Sequence, residues 1–155
     1  MARLHRFVKL NDRLDTQIFT FILPPTLIND APKDMESKEF VYGNQKWNIY
    51  IVKNGRQVGL YLWLKGQLAE GVVCKVDFTF TFENKEHFTK NDSFSERNWA
   101  FTQARPKFGR KNFISMDELL NRNYAMDNGQ FLLSLELRNA VNYFEQVRHF
   151  LFLLD

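Results

Sequence analysis

Alternation of apolar and polar positions at period two runs through most of this chain. In "VVCKVDFTFTFEN", Phe78, Phe80 and Phe82 fall on one side and Asp77, Thr79 and Thr81 on the other. That is the pattern of a strand with one face in a core. "TQIFTFIL" sets Ile18, Thr20 and Ile22 against Phe19, Phe21 and Leu23, and Pro24-Pro25 ends it, because proline cannot donate to a ladder. In "KEFVYGNQKWNIYIVKNGRQVGLYLWL" three strands follow one another. Gly43-Asn44 makes the first turn, and Asn54-Gly55 is a strong short hairpin signal. Trp47, Ile49 and Ile51 share one face of the middle strand; Val58, Leu60, Leu62 and Leu64 share one face of the next, with Tyr61 and Trp63 opposite. "QFLLSLELRN" reads as the last strand.

Three segments carry helical spacing instead. Leu4, Phe7, Val8 and Leu14 predict a helix over 3–14, and Tyr143, Phe144, Val147, Phe150, Leu151 and Leu154 predict one at the C-terminus. "SMDELL" predicts a short helix with Ser115 as N-cap and Glu118 at the capping-box position. Residues 26–38 and 84–92 read as loops. Seven or eight short strands separated by turns predict an all-β antiparallel sandwich. The expected organisation is a helical segment over 1–15, a β-sandwich over 16–139 and a helix over 140–155. The apolar faces of the two end helices are expected to pack on the sandwich or on another protomer. A dimer or monomer is expected rather than a trimer, because 3–14 is too short for a stable coiled coil.

The chain has 155 residues, 45% of them hydrophobic, enough for one domain with a core. The formal charge of +3 permits an acidic partner without demanding one. Cys74 is the single cysteine, so no disulfide forms within the chain, and with His5, His87 and His149 it offers no metal-ligand spacing. No cofactor motif, phosphate loop or nucleophile elbow is present, and Cys74 beside Lys75 reads as a buried thiol. These features predict a domain that is not an enzyme and uses no cofactor. A reducing, intracellular location in cytoplasm or nucleus fits the cysteine usage. No signal-peptide pattern opens the sequence, which is charged from Arg3 on, and no apolar run is long enough to span a bilayer. A longer parent protein is expected.

One segment, "SERNWAFTQARPKFGRKNFISMDELL", concentrates aromatics and cations. Trp99 and Phe101 alternate together with Arg97, and Arg105, Lys107, Arg110 and Lys111 follow at once. Phe113-Ile114 reads as a short strand, and 102–110 as an inserted basic loop.

With the strands placed, the chain resembles the MATH domain family, also called TRAF-C or TRAF-like. "TQIFTFIL" is similar to the family's opening strand. Phe40, Trp47, Leu60, Tyr61, Leu62 and Leu64 match its S-x-x-F … G-x-x-W … L-x-L-[YF]-L-x-L run, and "VDFTFTFEN" resembles a strand that ends in Asn. Trp99, Phe101, Phe113, Ile114, Asp117 and Leu119 match D-W-G-[FY]-x-x-F-I-x-[hydrophobic]-D-x-L, with Asn98-Trp99-Ala100 for Asp-Trp-Gly and extra residues inserted. The resemblance covers about 16–139 and implies an eight-stranded TRAF-like sandwich that binds short extended peptides by strand addition beside an aromatic groove. Such domains act as adaptors or substrate receptors in ubiquitin ligases and signalling. The family's groove positions fall on Tyr61, Phe78, Trp99 and Phe101, with Arg97 and Asn98 at a charged pair; Phe78 and Phe101 also suit a plain core role. The added methyl of Ala100 lies near the implied peptide path.

The peptide is expected along Arg97–Phe101, with Arg105, Lys107, Arg110 and Lys111 either solvated or facing an acidic or phosphorylated motif. A nucleic-acid-binding sandwich using rings and cations and a carbohydrate-binding sandwich are the alternatives. Most phenylalanines alternate with polar residues, which turns them inward and weakens the nucleic-acid reading.

Overall fold

The computed structural model describes residues 2–11, 15–29 and 33–145. Ten strands form two antiparallel sheets packed face to face. The first sheet runs, in spatial order, β1 (Arg3–Asn11), β2 (Thr16–Leu23), β10 (Phe131–Phe144), β7 (Val72–Phe82) and β8 (Asp92–Phe101). The second runs β3 (Met35–Glu36), β5 (Gln45–Asn54), β6 (Gln57–Leu64) and β9 (Lys107–Ser115), with β4 (Phe40–Tyr42) beside β5. The all-β sandwich is as the alternation predicts, with ten strands in place of eight.

The core is made by the inward rows of both sheets. Phe19, Phe21, Leu133, Leu135, Phe78, Phe80 and Phe82 of the first face Trp47, Ile49, Ile51, Leu60 and Leu62 of the second, none more than 3% exposed. Full burial of one such side chain stabilises by roughly 1.5–3 kcal/mol, so each row fixes its own register: a slip by one residue would turn the row to solvent. Gly43 and Asn44, at φ +57° and +61°, form the tight turn between β4 and β5, as type I′ hairpins require. In the next hairpin Asn54 pairs with Gln57, so the loop residues are Gly55 and Arg56, one position later than the Asn-Gly signal suggests. The helix α1 (Met116–Asn121) is capped as expected: Ser115 Oγ accepts from the Glu118 N–H at 3.0 Å and lies 3.3 Å from Glu118 Oε1.

The helical ends are the main correction. Arg3–Asn11 is strand β1, paired with β2 from Arg3↔Ile22 to Asn11↔Thr16. A segment of this length is marginal as an isolated helix, whereas the unpaired side of β2 offers it a full ladder. Residues 140–144 are likewise not helical. They continue β10 against β7, from Val141↔Lys75 to Phe144↔Val72. The rest of the expected C-terminal helix, 146–155, lies outside the described residues. The loop expected over 26–38 overlaps a 3-10 turn, Pro25–Ile28, and contains strand β3.

Candidate functional site

β8 and β9 are the outer strands of their sheets, and both lie at the same side of the sandwich. β8 pairs with β7 as Phe80↔Phe94 and Phe78↔Glu96, then as Val76↔Trp99 and Cys74↔Phe101. Arg97 and Asn98 therefore both stand opposite Asp77, and the strand bulges there. Asn98 sits at φ +54°, a left-handed conformation that asparagine tolerates better than most residues. Its N–H donates to Asp77 Oδ1 at 2.6 Å, while Asp77 Oδ2 accepts from Asn139 Nδ2 at 3.0 Å. Burial works to raise the Asp77 carboxyl. The bonds from Asn139 and Asn98, with Arg138 and Arg97 nearby, outweigh it and hold the group below the usual carboxylate range.

The bulge changes the parity of β8. Phe94 faces inward before it, and Trp99 and Phe101 face inward after it. Phe101 is fully buried, edge-on to Trp47 at 5.0 Å. Trp99 is half-buried and stacks on Phe108 of β9, with ring centroids 3.5 Å apart. Arg97 is exposed and does not share their face, contrary to the simple alternation.

β9 pairs with β6 as Lys107↔Trp63, Phe108↔Leu62, Gly109↔Tyr61 and Arg110↔Leu60. Lys107–Lys111, expected in a loop, thus belong to a strand. Phe108 packs inward, 6.3 Å from the Phe78 ring. On the outer face the Lys107 ammonium lies 5.1, 5.3 and 5.0 Å from the rings of Tyr50, Tyr61 and Trp63. Lys65 lies over Trp63 at 3.9 Å. These are cation–π distances. Arg110 crosses the gap between the two outer strands, 4.6 Å from the Phe94 ring and 4.0 Å from a Glu96 oxygen.

The predicted site residues therefore separate. Phe78 and Phe101 have no exposed surface; they are the floor under Trp99 and Phe108, not a contact surface. Asn98 is held in the bulge. Arg110 is engaged within the chain, while the side chains of Arg105 and Lys111 reach into solvent. Tyr61 lies on the outer face of the second sheet and Trp99 beneath the edge of the first, so the strand between them is β9. Tyr50, Trp63, Phe108 and Gly109 were missed as site residues. Their signal was the Tyr61–Trp63 alternation opposite the core-facing leucines, which marks an aromatic outer face.

Other chemistry is sparse. Cys74 is fully buried, and burial pushes its thiol up to about 11, far from a reactive thiolate. The His87 ring accepts from the Thr89 N–H at 3.2 Å and caps a 3-10 turn; His149 lies outside the described residues. Among the described residues no cluster of His, Cys, Asp and Glu could hold a metal ion, and no helix is long and apolar enough to cross a membrane.

A family model described as a MATH domain matches residues 25–136. No curated protein matches the chain. Residues 107–115 form one strand, so part of the segment expected as an inserted loop over 102–110 belongs to β9.

Proposed function

The chain belongs to the MATH domain family of protein-interaction modules, and we propose that it binds an extended peptide of a partner protein along the free edge of β9. One observation carries this reading. Gly109 stands opposite Tyr61 in the ladder, where a Cβ would meet the Leu60 carbonyl oxygen and Tyr61 Cα, so β9 lies tight against β6 while its other edge is unpaired among the described strands. A peptide strand added there would bond its main chain to β9 over Lys107–Arg110 and lay alternate side chains beside Tyr61 and Lys107. The edge of β8 around Arg97–Phe101 is less suited. Its bulge breaks the even spacing of donors and acceptors that an added strand needs.

In this reading Tyr61 supplies the outer wall, and the stacked Trp99 and Phe108 supply the inner one. Lys107 presents a cation with no carboxylate partner among the described residues, so the bound segment carries an acidic or phosphorylated side chain next to it. Arg105 and Lys111 add to association rate more than to affinity. Such a module serves inside the cell as the recognition part of a ubiquitin-ligase or signalling protein and performs no turnover itself.

The test is calorimetry with peptides selected from a random library. Tyr61→Ala and Trp99→Ala should each weaken binding at least about tenfold, as central aromatic contacts do, measured well below the melting temperature that each variant retains. Unchanged affinity in both would place the site elsewhere. Tight binding of mixed RNA with a steep salt dependence would favour the nucleic-acid alternative.

A further inference from the structure

At the start of β9 the ladder with β6 reaches Pro106, whose carbonyl accepts from the Leu64 N–H at 2.7 Å. The chain before it turns tightly: the Thr102 N–H donates to the Arg105 carbonyl at 3.2 Å, and the Arg105 N–H to the Thr102 carbonyl at 3.1 Å. Between this clamped turn and the loop after β6 lies an open cleft of about 620 Å³. Its apolar lining comes from Leu64, Leu68 and Pro106, and Gln67, Thr102 and Gln103 supply its polar groups. Leu64 and Leu68 are 2% and 6% exposed, so the apolar part is held by the core.

Among the described residues no ionisable side chain lines the cleft, although Lys65, Arg105 and Lys107 each directly adjoin a lining residue in sequence. That separation carries the argument. A charged group entering the cleft would lose water and find no counter-charge, whereas an uncharged apolar side chain meets Pro106 and the small exposed margins of Leu64 and Leu68 without that cost. The carboxamides of Gln67 and Gln103 and the Thr102 hydroxyl can hydrogen-bond a peptide group above it. The volume falls in the range of small-ligand sites.

We infer that the cleft lined by Leu64, Leu68 and Pro106 is a second recognition site, taking an uncharged, apolar side chain of the partner peptide just beyond its segment paired with β9. The assignment rests on the strand-addition reading: a peptide following β9 past Lys107 leaves the ladder at Pro106 and arrives over the cleft. The two sites then read opposite chemistry, an acidic group at Lys107 and an uncharged apolar residue a few positions away.

The probe is a peptide selected from a random library on the wild-type domain, used at full length and truncated before the residue that reaches the cleft. Ala69→Trp and Gln103→Trp fill the cleft from its two walls at exposed positions, so either serves if the other misfolds. Each should weaken the full peptide at least tenfold and leave the truncated one unchanged. Replacing the apolar residue by Asp should weaken wild-type binding by a similar factor. Equal affinities of full and truncated peptide on wild type, or full-peptide binding unaffected by folded cleft variants, overturns the assignment. Tyr61→Ala should weaken both peptides; if it weakens neither, the strand-addition reading fails and the cleft assignment fails with it. A library that yields no binder overturns both.

Discussion

The carboxylate of Asp77 accepts the backbone N–H of Asn98 at 2.6 Å and thereby holds the β8 bulge that turns Trp99 inward. Its other oxygen holds Asn139, at φ +56° in a matching bulge of β10. The folded carboxyl lies below its ordinary value, so its contribution is present above that value, about 3.9. It is lost as pH falls through the lower folded value. Asp77→Ala should destabilise by about 1–2 kcal/mol at neutral pH. Asp77→Asn keeps an acceptor for Asn98, so it should cost less and flatten the loss of melting temperature below about pH 4. An acid slope identical to wild type in Asp77→Asn would refute the assignment.

Asn98 itself tests the bulge from the backbone side. Its φ of +54° is open to glycine and strained for a β-branched residue. Asn98→Val should lose about 1–2 kcal/mol in denaturant unfolding, and Asn98→Gly should stay close to wild type. Equal losses would mean that the side chain, not the conformation, matters.

Gly109 is tied to close approach. A Cβ there would run into the Leu60 carbonyl oxygen and lie 2.6 Å from Tyr61 Cα, and backbone cannot yield as a flexible side chain can. Gly109→Ala should destabilise by at least about 2 kcal/mol, toward the upper part of the overpacking range. Gly55→Ala, which meets nothing within 4 Å, should show only the smaller cost of its positive φ.

Much of this was legible in the sequence. Phe78, Phe80 and Phe82 alternate without interruption, and their burial follows directly. The caps and turns at Ser115 and Gly43-Asn44 depend on neighbouring residues alone, so local chemistry decides them. The terminal strands were not legible, since Leu4, Phe7 and Val8 fit either period and only the unpaired edge of β2 decides between them. Tyr61 and Trp99 were named from the sequence, but their placement on either side of β9 was not. The clue was the parity change from Phe94 to Trp99 across Asn98, which requires one extra residue in the strand. Reading Lys107–Arg110 as a loop followed from its charges, although edge strands commonly carry charge.

Trp99 holds a buried indole N–H with no hydrogen-bond partner among the described residues. An orphaned donor costs about 1–3 kcal/mol, which partly offsets the gain from its stack on Phe108. Trp99→Phe should therefore keep stability within about 1 kcal/mol of wild type, while Trp99→Ala should lose about 2 kcal/mol or more, at the low end for a half-buried ring. A large loss in Trp99→Phe would show that the N–H has a partner in solution, such as water.

The most direct test of strand addition at β9 is an N-methyl scan of a library-selected peptide, measured by calorimetry. A peptide paired with one edge turns alternate N–H groups toward it. Methylation should weaken binding at least about tenfold, roughly 1.4 kcal/mol, at every second residue across the paired segment and leave the intervening ones nearly unchanged. Gly109→Ala, if folded, should reduce that contrast. Uniform tolerance of methylation along the peptide would contradict main-chain pairing and leave β9 without the role assigned to it.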